Sequence, residues 1–295
     1  MYRHKSIIQG IIAGILFGTA SIFTRFLTVY GVDIYLIALG RLSVAAIFSF
    51  IFISRTIKDV FNQVFKHGIT RAAIHITLGI LLGFHFILFT AGVRDTSIAN
   101  ATILVNTVPI QSLVILALIR SKEIDKIDYI VVTTAFVGSV LIALPNIGTS
   151  RLLGDVESFL AASMLAFYLI IGKRMRVKLD PYSSMPFIYL FATLTILITL
   201  TSLYSGLPSQ NLETNFDIII SLLGLGLLPT WIGHTLFYSS LEYLKPHETA
   251  ILGLLEPVGA TILAYAIFSE IPHPYVYMGG ILIGISIYLL SIKRG

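Results

Sequence analysis

Residues 248–270 read ETAILGLLEPVGATILAYAIFSE. Between Glu248 and Glu270 lies an almost continuous apolar run that holds Glu256 and Pro257 near its centre. At a rise of about 1.5 Å per residue, such a run is just long enough to cross a hydrocarbon core of roughly 30 Å. A carboxyl group and a helix breaker thus stand near mid-membrane, where both are costly. A second copy of the pattern lies upstream. Thr102 to Ile119 holds Asn106 and Pro109 and leads to Glu123, as Pro257 leads to Glu270.

The rest of the chain has the same character. Of 295 residues, 56% are hydrophobic and 12% charged, and the mean hydropathy is +0.90, which excludes an ordinary soluble domain and indicates a polytopic membrane protein. The net charge of +5 does not point to nucleic acid, because the basic residues occupy short gaps between apolar runs, where they orient a chain in a membrane. Without cysteine there is neither a disulfide framework nor a thiolate metal site. No HExxH, GxSxG or Walker A motif is present, and no helix carries His and Asp at metal-ligand spacing, so the chain is not expected to be an enzyme or to hold a cofactor or metal. Arg3 and Lys5 precede an apolar stretch too long for a signal-peptide core, which reads as the first spanning helix.

Ten segments of spanning length follow: Ile7 to Leu27, Ile34 to Ile53, Ala72 to Val93, Ile98 to Ile119, Tyr129 to Leu144, Val156 to Met175, Met185 to Tyr204, Ile218 to Leu241, Thr249 to Phe268 and Tyr275 to Ile292. Their apolar residues are continuous rather than alternating, which argues for helices and against a barrel. With the N-terminus in the cytoplasm, sixteen Lys and Arg residues, among them Arg3, Lys245 and Lys293, fall on the inner side and three, Arg25, Arg94 and Arg151, on the outer. Both termini are therefore expected in the cytoplasm. The Pro145 to Gly154 gap divides the chain into five-helix halves, residues 7–144 and 154–292. A shift of 148 residues pairs Pro109 with Pro257, Phe89 with Phe237 and Ala101 with Thr249. Because five is odd, the second half enters from the opposite side, an inverted repeat of the kind that places a binding site between its halves near mid-membrane.

Three features carry a family resemblance: Arg41 within Ala38 to Leu42, the Asn106 to Pro109 run, and Leu255, Glu256, Pro257 and Val258 with Glu270 after the helix. With the ten-helix duplication they resemble the drug/metabolite transporter superfamily, and within it the ten-helix exporters built of two EamA repeats. The resemblance implies a secondary carrier in the cell membrane that exports amino acids or other small amphipathic metabolites by alternating access, without ATP. Val108 stands where the second half has Glu256, so any acidic role is one-sided. A proton as coupling ion, an uncoupled facilitator, and a non-transporting scaffold or lipid-handling protein remain as alternatives. The oligomeric state is not read from the sequence, and a monomer suffices.

Candidate site residues follow from their positions. Pro109 and Pro257 deprive the carbonyls of Val105 and Gly253 of helical partners, so each helix bends there, as a static kink or as a hinge. Glu256 shares a face with Thr249, Gly253 and Ala260; it either bonds a freed carbonyl or holds a proton or a substrate ammonium. Trp231, His234, Thr235 and Tyr238 fall on one face of the eighth helix, a stripe suited to lining a cavity, with Trp231 alternatively a packing or interfacial residue. His85 is the deeper histidine of the third helix, about 80° around from His75. Asn106 either donates to a substrate or bonds across helices. Arg41 is costly in lipid without a partner and is expected to face an acidic side chain, a helix C-terminus or an anionic substrate group; Glu157 near the outer surface is the candidate acidic residue, with Tyr168 continuing the same face. Gly10, Gly14, Gly18, Gly79, Gly83, Gly280 and Gly284 follow the spacing that lets helices approach closely. Glu123 and Glu270 read as boundary residues, each beside Lys122 or a helix end.

Overall fold

The computed structural model describes residues 2–66, 68–121, 124–148, 151–176, 179–203 and 215–293. Glu123, Lys122, Lys178 and Arg294 lie outside the described residues. Within them the chain is helical, without a strand, and ten helices are long and apolar enough to cross a membrane. These are α1 (Tyr2–Val29), α2 (Ile34–Phe52), α3 (Ile69–Asp95), α4 (Ile98–Leu118), α5 (Lys126–Asn146), α6 (Leu152–Arg176), α7 (Pro181–Ser202), α8 (Phe216–Ser240), α9 (Pro246–Phe268) and α10 (Pro274–Ile292). The short fifth segment gains a turn at each end, the last of them a 3-10 turn over Leu144–Asn146. An even number of spans returns the chain to the face it left. The start of α1 and the end of α10 therefore share one face, the terminal face, opposite the far face.

The duplication recurs in the packing. α3 packs on α6 as α8 packs on α1, α7 packs on α3 as α2 packs on α8, and α4 lies on α6 as α9 lies on α1. Each pair becomes the other when the helix number moves by five. Small residues make the closest of these approaches possible. A Cβ at Gly83 would lie 2.9 Å from the Ala192 carbonyl oxygen of α7, and one at Gly18 would lie 2.5 Å from the Gly259 carbonyl carbon of α9. Without side chains the backbones meet directly, which is how helices associate where lipid offers no hydrophobic gain. The expected role of Gly280 and Gly284 passes to their neighbour: Gly279 meets Gly138 of α5, whereas a Cβ at Gly284 would touch nothing within 4 Å.

The spans that carry Pro109 and Pro257 are broken rather than merely bent. The fourth divides into α4a (Ile98–Val105) and α4b (Val108–Leu118), and the ninth into α9a (Pro246–Gly253) and α9b (Glu256–Phe268). Proline supplies no N–H, so the regular ladder cannot continue, and short-range bonds close each gap: Thr107 N–H to Leu104 at 3.2 Å, Leu254 N–H to Ile251 at 3.1 Å and Leu255 N–H to Leu252 at 3.2 Å. The halves then diverge. α4b packs against α9a towards the terminal face, whereas towards the far face α4a rests on α6 and α5, and α9b on α1.

A third irregularity lies in α8, where Gly226–Gly233 forms a π-helix around Pro229. Such widened turns are rare and recur at functional sites. Here the turn changes which residues share a face.

Candidate functional site

The π-helix of α8 and the break of α9 both bear on Arg41. Its Nε donates to Thr230 Oγ1 at 2.9 Å, and Thr230 donates in turn to the Leu225 carbonyl at 2.8 Å, a bond that the wide turn makes possible. The guanidinium carbon lies 4.5 Å from the centre of the Phe86 ring, close enough for a cation–π contact. The two terminal nitrogens hydrogen-bond to none of the described residues and keep accessible surface. Tyr189 of α7 braces the turn from behind, donating to the Thr230 carbonyl at 2.9 Å.

Glu256 opens α9b and is the charge that answers Arg41. Arg41 and Glu256 feel each other electrostatically, yet they are not within the 4.0 Å of an ion pair. The carboxylate has no hydrogen-bond partner among the described residues and keeps accessible surface. It is the first residue of the half-helix α9b.

Two histidines complete the centre. His234, 6% exposed, is held between Phe17 at 4.7 Å and Phe86 at 5.4 Å between ring centres. Its Nδ1 is buried without a partner among the described residues. An orphaned polar atom of this kind costs about 1–3 kcal/mol and calls for a reason. His85 bonds the Ala161 carbonyl at 2.9 Å through Nδ1, and the field of Arg41 reaches both rings. In each ring Nε2 keeps accessible surface. The middle of the bundle therefore brings one cation, one anion and two imidazoles together beside the rings of Phe17 and Phe86.

Other sequence candidates lie elsewhere. Arg41 is not paired with Glu157, which stands in the field of Asp95 and Arg94 near the far face. The expected stripe on α8 is divided by the π-turn: Trp231 packs on Phe48 and Phe52 at 6.2 and 5.9 Å, away from the His234 ring. Tyr168 and Tyr238 are both 0% exposed and pack on each other at 6.0 Å, so neither presents surface to a solute in this state. Asn106, 9% exposed, donates to Ser139 of α5 at 2.7 Å; of its two expected uses, the structure displays the bond across helices. Glu270 bonds Arg25 at 2.7 Å rather than a neighbour in sequence.

Phe17, Phe86, Tyr189 and Thr230 were not singled out from the sequence. Only Pro229, an interior helix breaker next to Thr230, signals that the region is irregular. A further polar group, Gln111 of α4b with Ser163 of α6 at 2.7 Å, also has no local sequence signature.

Comparison with known proteins agrees with this architecture. Residues 4–144 and 152–292 each match the profile of the EamA-like transporter family. An uncharacterized transporter of Bacillus subtilis is 24% identical over 73% of this chain and 68% of its own length. An uncharacterized transporter of Archaeoglobus fulgidus is 27% identical over 73% of both chains. The S-adenosylmethionine uptake transporter of Rickettsia felis is 28% identical over 75% of this chain and 74% of its own. A crystal structure covering 98% of this chain and 99% of its own superposes with a TM-score of 0.79 at 14% identity, a likeness of fold.

Proposed function

Since the chain belongs to the EamA-like transporter family, we propose that it is a secondary carrier that moves a small amphipathic organic solute, such as an amino acid, by alternating access around Arg41 and Glu256. One observation supports the reading most: two opposite charges stand at mid-membrane, each with free polar atoms, without pairing. Leaving either charge without a counterpart in a dry interior costs several kcal/mol, which an aqueous cavity or a bound solute relieves. A carboxylate fits the fork of Arg41, an ammonium fits Glu256, and an apolar or aromatic body fits against Phe17 and Phe86. S-adenosylmethionine, which some relatives are named for, carries all three kinds of group. Net export is the direction we favour, with both chain ends in the cytoplasm.

The test is counterflow of radiolabelled amino acids and S-adenosylmethionine in proteoliposomes. Saturable exchange supports the carrier. Its absence for every amino acid, amine and nucleoside tried, with folded protein, sinks the reading.

Glu256 is the residue at which a proton and a solute ammonium compete, so Glu256→Gln is expected to keep exchange, with affinity weakened roughly tenfold. It should also lose any response to an imposed pH gradient. Wild-type flux indifferent to that gradient would mark an uncoupled facilitator instead.

Pro109 and Pro257 are the hinges in this scheme. Pro257→Ala returns an N–H to the ladder and stabilises a continuous helix by about 1 kcal/mol, which the cycle must then overcome at each turn. Turnover should fall roughly three- to tenfold while binding measured by thermal shift is preserved. Unchanged turnover in both Pro257→Ala and Pro109→Ala would mark the breaks as static.

A further inference from the structure

The densest group of buried charges lies away from Arg41 and Glu256, at the terminal face. Asp128 of α5 and Glu248 of α9a are each only 1% exposed. Arg3 of α1 forks onto Glu248, with Nη2 to Oε1 at 2.9 Å and Nη1 to Oε2 at 3.2 Å. Lys293, directly after α10, donates to Asp128 and lies 3.1 Å from Asp125 and 3.5 Å from Glu248. Lys245, directly before α9a, reaches Asp125 at 3.1 Å and Asp128 at 3.3 Å. His247 is fully buried, with Nε2 3.2 Å from Asp128 Oδ1.

Both deep carboxylates are also fixed to backbone. Asp128 accepts the Asp125 N–H at 2.9 Å and Glu248 the Lys245 N–H at 2.8 Å. Each therefore sits in the first turn of its helix, where the dipole favours a negative charge. Burial works against the charge on Lys293, but its bonds to Asp128 and Asp125 and the field of Glu248 prevail and hold its pKa above the usual value. Bonds from Lys293 and Lys245 hold the Asp125 carboxyl below its usual range. Three carboxylates thus face three permanent cations. Asp128, His247 and Glu248 also bring ligand atoms within 4.8 Å of one another, a spacing that would suit a metal, but the Lys293 ammonium already bridges the two carboxylates.

The placement of this network is what gives it a role. Its members come from both repeats: Arg3, Asp125 and Asp128 from the first, and Lys245, His247, Glu248 and Lys293 from the second. It ties the outer end of α9a to α1, α5 and α10, on the side where α9a closes against α4b. At the far face α4a rests on α6 and α5 and α9b on α1, and the ion pair that joins α1 to the end of α9b is Arg25 with Glu270, whose side chains are 53% and 51% exposed. An exposed pair of that kind contributes little. The same fold is therefore clamped at one face and lightly held at the other.

We propose that the Arg3, Asp128, Glu248 and Lys293 network is the clamp that keeps the terminal face of the carrier closed, and that it must come apart for the central site to open to that face. The proposal rests on the carrier reading above. α9a cannot swing from α4b while Glu248 and Asp128 stay bonded to α1 and α10. Because the partners are buried, separating them requires water to enter and solvate them together, which makes the closed and open states discrete.

The chain has no native cysteine, so a Glu256→Cys reporter can be read with a membrane-impermeant thiol reagent added to either face of oriented proteoliposomes. With the clamp intact, labelling is expected from the far face and to be at least tenfold slower from the terminal face. Lys293→Ala or Arg3→Ala should raise terminal-face labelling at least tenfold and slow labelling from the far face. Exchanging the charges, Arg3→Glu together with Glu248→Arg, should restore the original asymmetry. Arg3 is 20% exposed, so Arg3→Ala carries the test if Lys293→Ala does not fold. Folded clamp variants that keep the original sidedness overturn the clamp alone. A reporter reached from neither face, with or without the clamp, overturns the carrier reading and the clamp with it.

Discussion

Replacing Arg41 with alanine is expected to reduce solute exchange in proteoliposomes by at least tenfold and up to about a hundredfold, while the protein stays folded. A hydrogen bond to a charged group contributes about 1.5–3 kcal/mol, and 1.36 kcal/mol corresponds to a factor of ten. Arg41 has two terminal nitrogens not engaged by the described residues, so a solute carboxylate would lose that whole contribution. The fold would lose little. Thr230 keeps its bond to the Leu225 carbonyl, Tyr189 still braces the turn, and Glu256, left without its counter-charge, can take up a proton and stay neutral. Arg41→Lys separates charge from shape: the lysine keeps the charge but neither the bond to Thr230 nor the planar contact with Phe86. It should recover part of the exchange. Wild-type exchange in Arg41→Ala would remove Arg41 from the transport path.

Gly18→Leu is expected to have the largest effect on folding. Any Cβ at this position falls 2.5 Å from the Gly259 carbonyl carbon and 2.8 Å from its Cα, and closer still to the Ala260 nitrogen. These are backbone atoms, which cannot rotate aside as a side chain can. α1 must therefore move away from α9b, and the contact of the two helices along Gly14 and Gly18 opens. Overpacking of this kind costs roughly 1–3 kcal/mol for a side chain that can adjust, and more against a rigid backbone. We expect a fall of about 5 °C or more in the melting temperature in detergent, with much of the chain recovered as aggregate. Gly284→Ala is the control, because its added Cβ meets nothing within 4 Å. Equal stability of the two variants would show that the approach of α1 to α9b does not limit folding.

These two expectations rest on different kinds of information. Gly18 could be suspected from the chain, since Gly10, Gly14 and Gly18 repeat every four residues. The same spacing pointed to Gly280 and Gly284, where it does not hold, because which face of a helix meets a neighbour is a property of the pair. Arg41 was conspicuous as a cation inside an apolar run, but not its surroundings. Thr230 lies 189 residues away, and the π-turn that aims it depends on Pro229 being accommodated among neighbouring helices. That turn also sends Trp231 and His234 to different sides, which a regular helical wheel cannot foresee. The clamp is the clearest case. Arg3 and Glu248 are 245 residues apart, and Lys293 and Asp128 are 165 apart; along the chain, Arg3, Lys245 and Lys293 read only as topology signals.

In residues 248–270, apolar length, a central proline and the echo of both in Thr102 to Ile119 were enough to determine ten spans, an inverted five-plus-five repeat and a bend in two helices. Those are local properties: hydrocarbon thickness sets the length of a span, and a missing N–H takes one bond from the helical ladder at a position fixed by the sequence. The partners of the charges were decided by tertiary structure alone. Glu256 faces Arg41 across the centre, and Glu248, one end of the same stretch, is locked to Arg3 and Lys293. An electrostatic partner is chosen by distance in space and by what water can reach, and neither quantity is carried by the order of residues along the chain.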